Sequence, residues 1–316
     1  YRGRLEAHRL PGAATAARAL LADFEDEVLG DMSGLDAEEA GSALVGALAR
    51  RAERVLVGLH HALLGPLELA VARARRLIIV PHGPLHFVPF AALLSPAGAL
   101  IDRCELTVLP SAATRVALPG AEGRPAAGRP LIVGGPADDL PWLREELADV
   151  AARLGQPTVV TAGQEADLPR LLAAAPLVHF AGHALLRRDN PVFSYLETPR
   201  GRLTLGDILE LRLSADLVVL AGCETGAGLT RPGDELLGLA RAFLHAGARA
   251  LVASLWPVDD RATRRLMGLF YGHLARVEPA AALRLAQQEL RRDLPHPYYW
   301  AGFVHVGATE TAGRRG

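Results

Sequence analysis

The chain has 316 residues, of which 50% are hydrophobic and 22% are charged, and its formal net charge is -1 at pH 7. A chain of this length can bury a sizeable core in one large domain or in two unequal ones. The near-zero charge disfavours nucleic acid as a direct partner. The two cysteines, Cys104 and Cys223, are too few for a four-cysteine zinc site or a disulfide framework, which favours a reducing, cytoplasmic location.

The sequence carries no sign of a membrane segment or a leader. No uninterrupted apolar run approaches the ~20 residues that a transmembrane helix needs, so no membrane partner is expected. No charged and then apolar segment opens the chain. The sequence begins at Tyr1 rather than at Met, which indicates a fragment or a processed product.

Residues 1–75 are predicted to form a helical lead-in. Ala, Leu, Arg and Glu recur at spacings of three and four residues in Ala13–Val28 and in Glu38–Leu64, which is typical of amphipathic helices. We interpret this part as the end of a larger helical or repeat region.

Residues 76–118 are predicted to form the N-terminal part of the main domain. Leu77–Val80 is a buried strand stopped by prolines, and Cys104–Leu109 is a second strand. Between them, Leu85–Leu94 has the pattern of a packed hairpin or a short helix. The segment 119–130 is rich in Gly, Pro and Ala and poorly patterned, so it is the best candidate for a linker.

Residues 131–310 alternate between strand and helix patterns and are predicted to form the core. The predicted elements, in chain order, are strand Leu131–Gly134, helix Pro141–Leu154, strand Thr158–Thr161, helix Asp167–Ala174, the strand of the block Leu177–His183, a loop, helix Thr204–Leu211, the strand of the block Asp216–Cys223, helix Gly233–Ala246, strand Ala248–Leu255, helices Asp260–Val277 and Pro279–Asp293, and strand Phe303–Gly307. This alternation predicts an α/β fold with a mainly parallel sheet between helices.

Two of the predicted strands end next to reactive side chains. In the block Leu177–His183, His183 comes just after a strand that contains Gly182, a residue that lets backbone or ligand approach closely, and the block Asp216–Cys223 ends in the same way at Cys223. If the two strands are parallel neighbours, both side chains emerge at the carboxyl edge of the sheet, where ligands of open α/β sheets bind. A cysteine nucleophile with its general base requires at least a thiol beside an imidazole.

Each of these residues also has a plainer interpretation. An isolated His183 is more often a hydrogen-bonded residue at a strand end, and a lone Cys223 is more often a small buried hydrophobe. Their matching positions favour function, as does the glycine-punctuated loop Glu224–Gly233, which would leave the sulfur reachable. His179 and His183 would lie ~13 Å apart along a strand, so they predict no metal site, and His179 is expected in the core. Cys104 has no histidine block beside it and is predicted to be structural.

Six blocks occur in one order along the chain: Pro81–Phe90, His179–His183, Leu220–Gly226, Ser254–Asp260, Met267 with Phe270 and Tyr271, and His296–Phe303. Together they resemble the CHAT domain, a caspase-like domain often attached to tetratricopeptide repeats, over about residues 75 to 307. The resemblance implies a caspase-like three-layer sandwich with a mostly parallel sheet. It also implies, for active members, a cysteine endopeptidase whose His and Cys match His183 and Cys223.

The resemblance assigns roles to the residues at the carboxyl edge. We expect His183 to act as general base and later as general acid, and Cys223 to act as nucleophile. The backbone N–H groups of Ala184 and Cys223 would form the oxyanion hole. Ala184 stands where the family commonly has Gly, and it keeps a small residue there. No metal and no cofactor are expected.

Three further residues are predicted to bind substrate. Trp256 and Asp259 follow a strand on the same edge and would line the substrate groove. Asp207, on the short helix before the cysteine strand, would approach the same pocket. The alternatives are that Asp259 caps the helix that follows it and that Asp207 faces water.

These observations predict a cysteine endopeptidase that cleaves a protein or peptide substrate. An upstream repeat or sensor domain, or an activating protein, is expected to regulate it, in bacterial defence or stress signalling. The alternative is a catalytically inactive pseudo-protease that binds a peptide as a regulatory module. A third class, the α/β-hydrolases, is disfavoured because the chain has no Gly-x-Ser-x-Gly elbow.

Overall fold

The computed structural model describes residues 7–10, 12–30, 32, 43–118, 128–136, 142–163, 167–185, 191–221 and 234–309. The predicted linker at 119–130 lies outside these residues, apart from its last three positions.

The secondary structure alternates strands and helices over most of the described chain. The strands are β1 (Arg76–Ile79), β2 (Leu94–Ser95), β3 (Gly98–Ala99), β4 (Glu105–Val108), β5 (Leu131–Gly134), β6 (Thr158–Val160), β7 (Leu177–Ala181), β8 (Ala184–Leu185), β9 (Tyr195–Thr198), β10 (Gly201–Thr204), β11 (Leu217–Leu220), β12 (Ala250–Ser254) and β13 (Phe303–Gly307). The α-helices are α1 (Ala13–Asp23), α2 (Ala43–Leu64), α3 (Glu68–Arg73), α4 (Leu100–Arg103), α5 (Ala112–Ala117), α6 (Leu143–Leu154), α7 (Leu168–Ala174), α8 (Leu205–Glu210), α9 (Asp234–Ala246), α10 (Asp260–Leu274), α11 (Pro279–Asp293) and α12 (Pro297–Trp300). A π-helix spans Phe24–Gly30, and 3-10 turns span Gly65–Leu67, Gly83–Phe87, Phe90–Ala92 and Pro191–Phe193.

Eight strands form one sheet in the order β1-β4-β13-β12-β11-β7-β5-β6. Its pairings are parallel except for β12 with β13, which run antiparallel. The side chains of β5, β11 and β12 are all buried, as expected of strands that helices cover on both faces. The predicted mostly parallel sheet is confirmed. Strands β1 and β4, from the predicted N-terminal part, belong to this same sheet.

Neighbouring residues of β7 show that helices cover both faces of the sheet. His179 packs against Tyr271 of α10, with ring centroids 5.6 Å apart. The next residue, Phe180, packs against Phe243 of α9 at 5.9 Å. Because successive side chains of a strand point to opposite faces, α10 and α9 lie on opposite sides of the sheet. Helices α6 and α11 pack beside α10, and the predicted three-layer sandwich is confirmed.

The segment between His183 and α8, predicted as a loop, contains part of a second sheet. Strands β8, β9 and β10 form a three-stranded antiparallel sheet in the order β10-β9-β8. The hairpin of β9 and β10 turns at Pro199 and Arg200 and continues through Gly201, whose φ is +105°. Its strands are short and half-exposed, so the sequence lacks the apolar run by which the core strands are recognised.

The helical lead-in is present as α1, the π-helix, α2 and α3. Side chains from it, including Leu21, Phe24 and Leu59, join the main hydrophobic core. Within the described part of the chain, Leu44–Arg73 is the one helical stretch long and apolar enough to cross a membrane by length and composition alone. Charged residues, among them Arg50 and Arg51, interrupt the stretch, so it forms no uninterrupted apolar run.

Two fully or almost fully buried histidines, His296 and His305, lie in the C-terminal part of the chain. His305 Nδ1 is hydrogen-bonded to the Thr107 hydroxyl at 3.0 Å, and His296 Nδ1 accepts from the Tyr298 N–H at 3.2 Å. In each ring, Nε2 has no hydrogen-bond partner among the described residues. Burial lowers the pKa of each from 6.5 to about 4, with a smaller contribution from Arg76 at His305. Both rings are therefore neutral at pH 7.

We expect the free energy of unfolding to fall as the pH drops from about 6.5 towards 4, by about 2 kcal/mol for each of these histidines at pH 5. The unfolded imidazole binds a proton in this range whereas the buried one does not, so acid favours unfolding. Urea denaturation at pH 7 and pH 5 measures the loss. In His305→Asn, the free energy of unfolding should fall by about 2 kcal/mol less between pH 7 and pH 5 than it does in the wild type.

His245→Asn, at an exposed position of α9, is the control for this series. It should keep the pH dependence of the wild type. If His305→Asn also kept it in full, the buried imidazole would not be a source of the acid sensitivity.

Candidate functional site

The site lies where β7 and β11 end side by side. The two strands are parallel neighbours, with Phe180 opposite Leu220, which confirms the pairing predicted from sequence. Beyond the last pair, the Ala221 N–H donates to the Phe180 C=O at 2.8 Å. Consequently His183 and Ala221 lie at the same carboxyl edge. Cys223 and the loop that follows it lie outside the described residues.

His183 leaves the sheet through a glycine turn. Gly182 has a φ of +137°, which L side chains rarely adopt. A Cβ on Gly182 would lie 3.0 Å from the backbone N of Gly135, and that N–H donates to the Ala181 C=O at 2.8 Å. Gly182 therefore permits a close approach of the Gly135 backbone. The turn therefore fixes the point at which His183 leaves the sheet.

The backbone after His183 is held by the small antiparallel sheet. The His183 C=O accepts from the Glu197 N–H at 2.8 Å, and Ala184 stands opposite Leu196. Hydrogen-bonded and non-hydrogen-bonded pairs alternate in an antiparallel ladder, so the Ala184 N–H points away from β9. This orientation suits a backbone donor to a bound oxyanion.

A small pocket opens at this edge, on the side of α6 and α10. His183, Ala221 and Ser254 contribute to its lining from the strand ends, and Glu146 and Asp260 contribute from the two helices. Among the described residues that line it, two carry carboxylates and none is an arginine. The charged side chains of the lining are therefore acidic.

Three polar side chains form a chain of contacts beneath the pocket. His179 Nδ1 lies 3.0 Å from the Tyr271 hydroxyl, and His179 Nε2 lies 3.3 Å from Glu146 Oε1. Burial, and secondly the charge of Glu146, raise the pKa of Tyr271 well above 10, so the phenol stays protonated. In the tautomer in which the phenol donates to Nδ1, the ring proton of His179 lies on Nε2, facing Glu146. The predicted core position of His179 is confirmed, since the residue is fully buried.

Trp256 and Asp259 are placed in structural roles beside the pocket. Trp256 is 3% exposed, its indole N–H donates to the Tyr298 C=O at 3.1 Å, and its ring stacks edge-on against Phe24. The Asp259 carboxylate caps α10 by accepting from the Ala262 N–H at 2.8 Å, which is the alternative role that its sequence position allows. From this segment, Val258 and Asp260 line the pocket, as does Ser254 at the end of β12.

Asp207 belongs to a separate, open groove. It lines that groove together with Asp167, Arg200 and Arg202, and its carboxylate accepts from the Thr204 N–H at 2.8 Å and from the Thr204 hydroxyl at 2.6 Å. This is a capping box at the start of α8. The spacing Thr-x-x-Asp is the signal in the sequence that indicates this role.

Cys104 has the environment of a structural cysteine. It is fully buried, and its thiol lies 3.7 Å from the Leu100 C=O. Burial raises the pKa of the thiol more than Arg284 and Arg103 lower it. The prediction of a structural Cys104 is confirmed. The described residues contain no group of three or more His, Cys, Asp or Glu placed to hold a metal ion.

The chain is similar to proteins of one domain family. The CHAT domain family matches residues 53–308. Tetratricopeptide repeat protein 28 of Mus musculus is 29% identical over 303 aligned positions, and its Homo sapiens counterpart is 28% identical over 304; each alignment covers 75% of this chain. The chain spans 12% of the length of these relatives.

Solved structures of two peptidases share the fold. Separase from Saccharomyces cerevisiae, in its complex with securin, superposes with a TM-score of 0.51 at 13% identity, over 94% of this chain and 23% of that one. The Arg-specific cysteine proteinase gingipain R superposes with a TM-score of 0.50 at 10% identity, over 92% of this chain and 75% of that one. At these identities the similarity is one of fold, and the fold is caspase-like.

We expect Gly182→Ala to destabilise the protein more than Gly201→Ala. Both positions have a φ near or above +100°, so both variants incur backbone strain of about 1–3 kcal/mol. A Cβ on Gly182 would also meet the Gly135 backbone at 3.0 Å, whereas nothing lies within 4 Å of a Cβ on Gly201. Urea denaturation should show a further loss of about 1–3 kcal/mol for Gly182→Ala. Equal losses in the two variants would contradict this account of the turn.

Proposed function

The chain belongs to the CHAT domain family, and from this premise we propose that it is a cysteine endopeptidase that cleaves a protein or peptide substrate at the carboxyl edge of its sheet. His183 is the general base and later the general acid, and Cys223 is the nucleophile. The observation that supports the proposal most is the parallel pairing of β7 with β11, because the two strands lead directly to these residues.

The described residue nearest to Cys223 on its N-terminal side is Ala221, two positions earlier in the sequence. Ala221 is hydrogen-bonded to β7 at 2.8 Å. His183 likewise follows two residues after the last residue of β7, Ala181. These matching positions in the sequence support the proposed thiol–imidazole dyad.

The proposed reaction proceeds through an acyl-enzyme. His183 accepts the thiol proton, and the sulfur of Cys223 forms a bond to the carbonyl carbon of the substrate. The oxyanion of the tetrahedral intermediate accepts from the backbone N–H groups of Ala184 and Cys223. The C–N bond then breaks as His183 gives its proton to the leaving amine. Water activated by His183 hydrolyses the thioester, which releases the acid and restores the thiol.

We expect Cys223→Ala and His183→Ala each to abolish turnover of a peptide library that varies the residue before the cleaved bond. Acyl transfer needs both members of the dyad, so each single loss should cost at least about 10³-fold. Cys104→Ser should remain nearly as active as the wild type, because Cys104 is buried away from the edge. Mass spectrometry of the cleaved peptides measures turnover. Cleavage by purified Cys223→Ala would refute the assignment.

Labelling by iodoacetamide tests the thiol without a substrate. A thiolate paired with an imidazolium reacts near neutral pH, so Cys223 should be alkylated faster than the buried Cys104. Equal or reversed rates would contradict the dyad. Peptide binding without turnover in the wild type, together with slow alkylation of Cys223, would indicate the pseudo-protease alternative.

The N-terminal helical part is proposed to regulate this site, under the control of an upstream repeat or sensor domain or an activating protein. The support is a direct contact: Phe24 of the π-helix stacks on Trp256 with ring centroids 5.6 Å apart. Trp256 lies two residues before Val258, which lines the pocket with His183. A cytoplasmic location and a role in bacterial defence or stress signalling stay predictions, and the two relatives named above are mammalian.

We expect Phe24→Leu to change the rate at which peptide electrophiles label Cys223 by about 2–10-fold, the size of one aromatic pair. Leu59→Val, at a fully buried position of α2, removes apolar volume elsewhere in the same helical part and is the control. Labelling rates are compared under conditions in which the proteins have the same folded fraction, as measured by urea denaturation. An unchanged rate in Phe24→Leu would contradict coupling through Trp256.

A further inference from the structure

Glu146 is a buried acidic residue to which the dyad assigns no role. It lies on the inner face of α6 with Leu143, Leu147 and Val150, and it is 7% exposed. A carboxylate in such a position costs several kcal/mol unless it is compensated by partners. Leu147 and Val150 of the same face do not line the pocket beside His183, whereas Glu146 and its apolar neighbour Leu143 do.

We propose that Glu146 is a positioning residue for the dyad: its carboxylate, held by His179 and Tyr271 beneath the pocket, stabilises the protonated imidazole of His183. This inference rests on the proposed function, because a protonated imidazole is the form that balances a thiolate on Cys223.

The orientation of Glu146 comes from two other elements of the core. The Tyr271 hydroxyl of α10 lies 3.0 Å from His179 Nδ1, and His179 Nε2 lies 3.3 Å from Glu146 Oε1. The second contact lacks full hydrogen-bond geometry. In the tautomer in which the phenol donates to Nδ1, His179 faces the carboxylate without a compensating charge. The negative charge is therefore available to a cation in the pocket.

The other charged groups around the pocket leave this charge in place. Asp260, at the first position of α10, is the second carboxylate of the described lining. Two arginines of α10, Arg261 and Arg264, stand over the ring of Trp142 at 5.9 and 5.6 Å. Neither contributes to the pocket lining. Both carboxylates of the described lining therefore have the sign of charge that attracts a cation.

In the proposed reaction Glu146 takes no proton. The proton from the thiol of Cys223 resides on His183 until it passes to the leaving amine, and the carboxylate stabilises that interval by charge alone. Without the charge, His183 loses its proton to solvent at a lower pH. The alkaline limb of the profile of turnover against pH should then move to lower pH.

The test is Glu146→Gln, which keeps the shape of the side chain and removes its charge. The alkaline limb of turnover should move about 0.5–1 pH unit lower. Near pH 8, kcat should fall about 3–10-fold with KM almost unchanged, because in the proposed role Glu146 acts on His183 and not on the substrate. Glu145→Gln, at the exposed neighbouring position of α6, removes the same charge and should leave the profile unchanged.

Two further variants separate this role from a purely structural one. Tyr271→Phe keeps the ring and deletes the hydroxyl that orients His179, so it should shift the limb in the same direction by a smaller amount. Glu146→Asp keeps the charge and should restore most of the wild-type profile. Thermal unfolding checks that each variant is folded. If Glu146→Gln does not fold, Tyr271→Phe and Glu146→Asp carry the test.

An unchanged alkaline limb in folded Glu146→Gln would overturn the inference. The inference would also be overturned if Glu146→Gln changed the preference for the residue before the cleaved bond and left the alkaline limb unchanged. That result would assign Glu146 to substrate binding. If the wild type cleaves no peptide, the proposed function fails but this inference stays testable. NMR titration of the His183 imidazole in the whole chain should then show its pKa about 0.5–1 unit lower in Glu146→Gln, and an unchanged value would refute the inference.

Discussion

The parallel pairing of β7 with β11 is the constraint on which the site depends. Its register is fixed in the middle of the sheet, where His179 needs the polar partners on the α6 and α10 side and Phe180 needs Phe243 of α9. A slip of one residue would exchange the two faces and bury the imidazole against an aromatic ring. The register that satisfies the core therefore also determines which residues emerge at the edge.

The sheet extends beyond this pair because the segment that leads into β4 is bound to helix α11. Arg284 of α11 donates to the carbonyl groups of Ile101 and Asp102 at 2.7 and 2.9 Å, and Arg291 pairs with the Asp102 carboxylate at 2.7 Å. These contacts satisfy carbonyl groups at the end of the short helix α4, which precedes β4. The guanidinium groups thereby fix β4 beside β13, so residues 76–118 and the core share one sheet.

The strands of the core were predictable from sequence, whereas the partners of their polar residues were not. Uninterrupted apolar runs identify β5, β7, β11 and β12, and a proline followed by a 3.6-residue period identifies α11. Glu146 and Tyr271 come from helices far apart in the chain, and only the packing of α6 against α10 brings them to His179. The sequence does contain one indication that Glu146 is buried. Glu146 lies three residues after Leu143 and one before Leu147, on the buried face of α6.

The two histidines of the block His179–His183 show how strand geometry divides one motif between core and edge. A strand advances ~3.3 Å per residue, so a histidine in the middle of β7 is covered by helices, while one two residues past its end reaches the pocket. His305 and His296 are also buried, but each has a neutral hydrogen-bond partner and no carboxylate in contact. His179 alone of these three buried rings faces a carboxylate that also lines a pocket. That difference makes His179 a link between the packing of α6 and α10 and the chemistry at the edge.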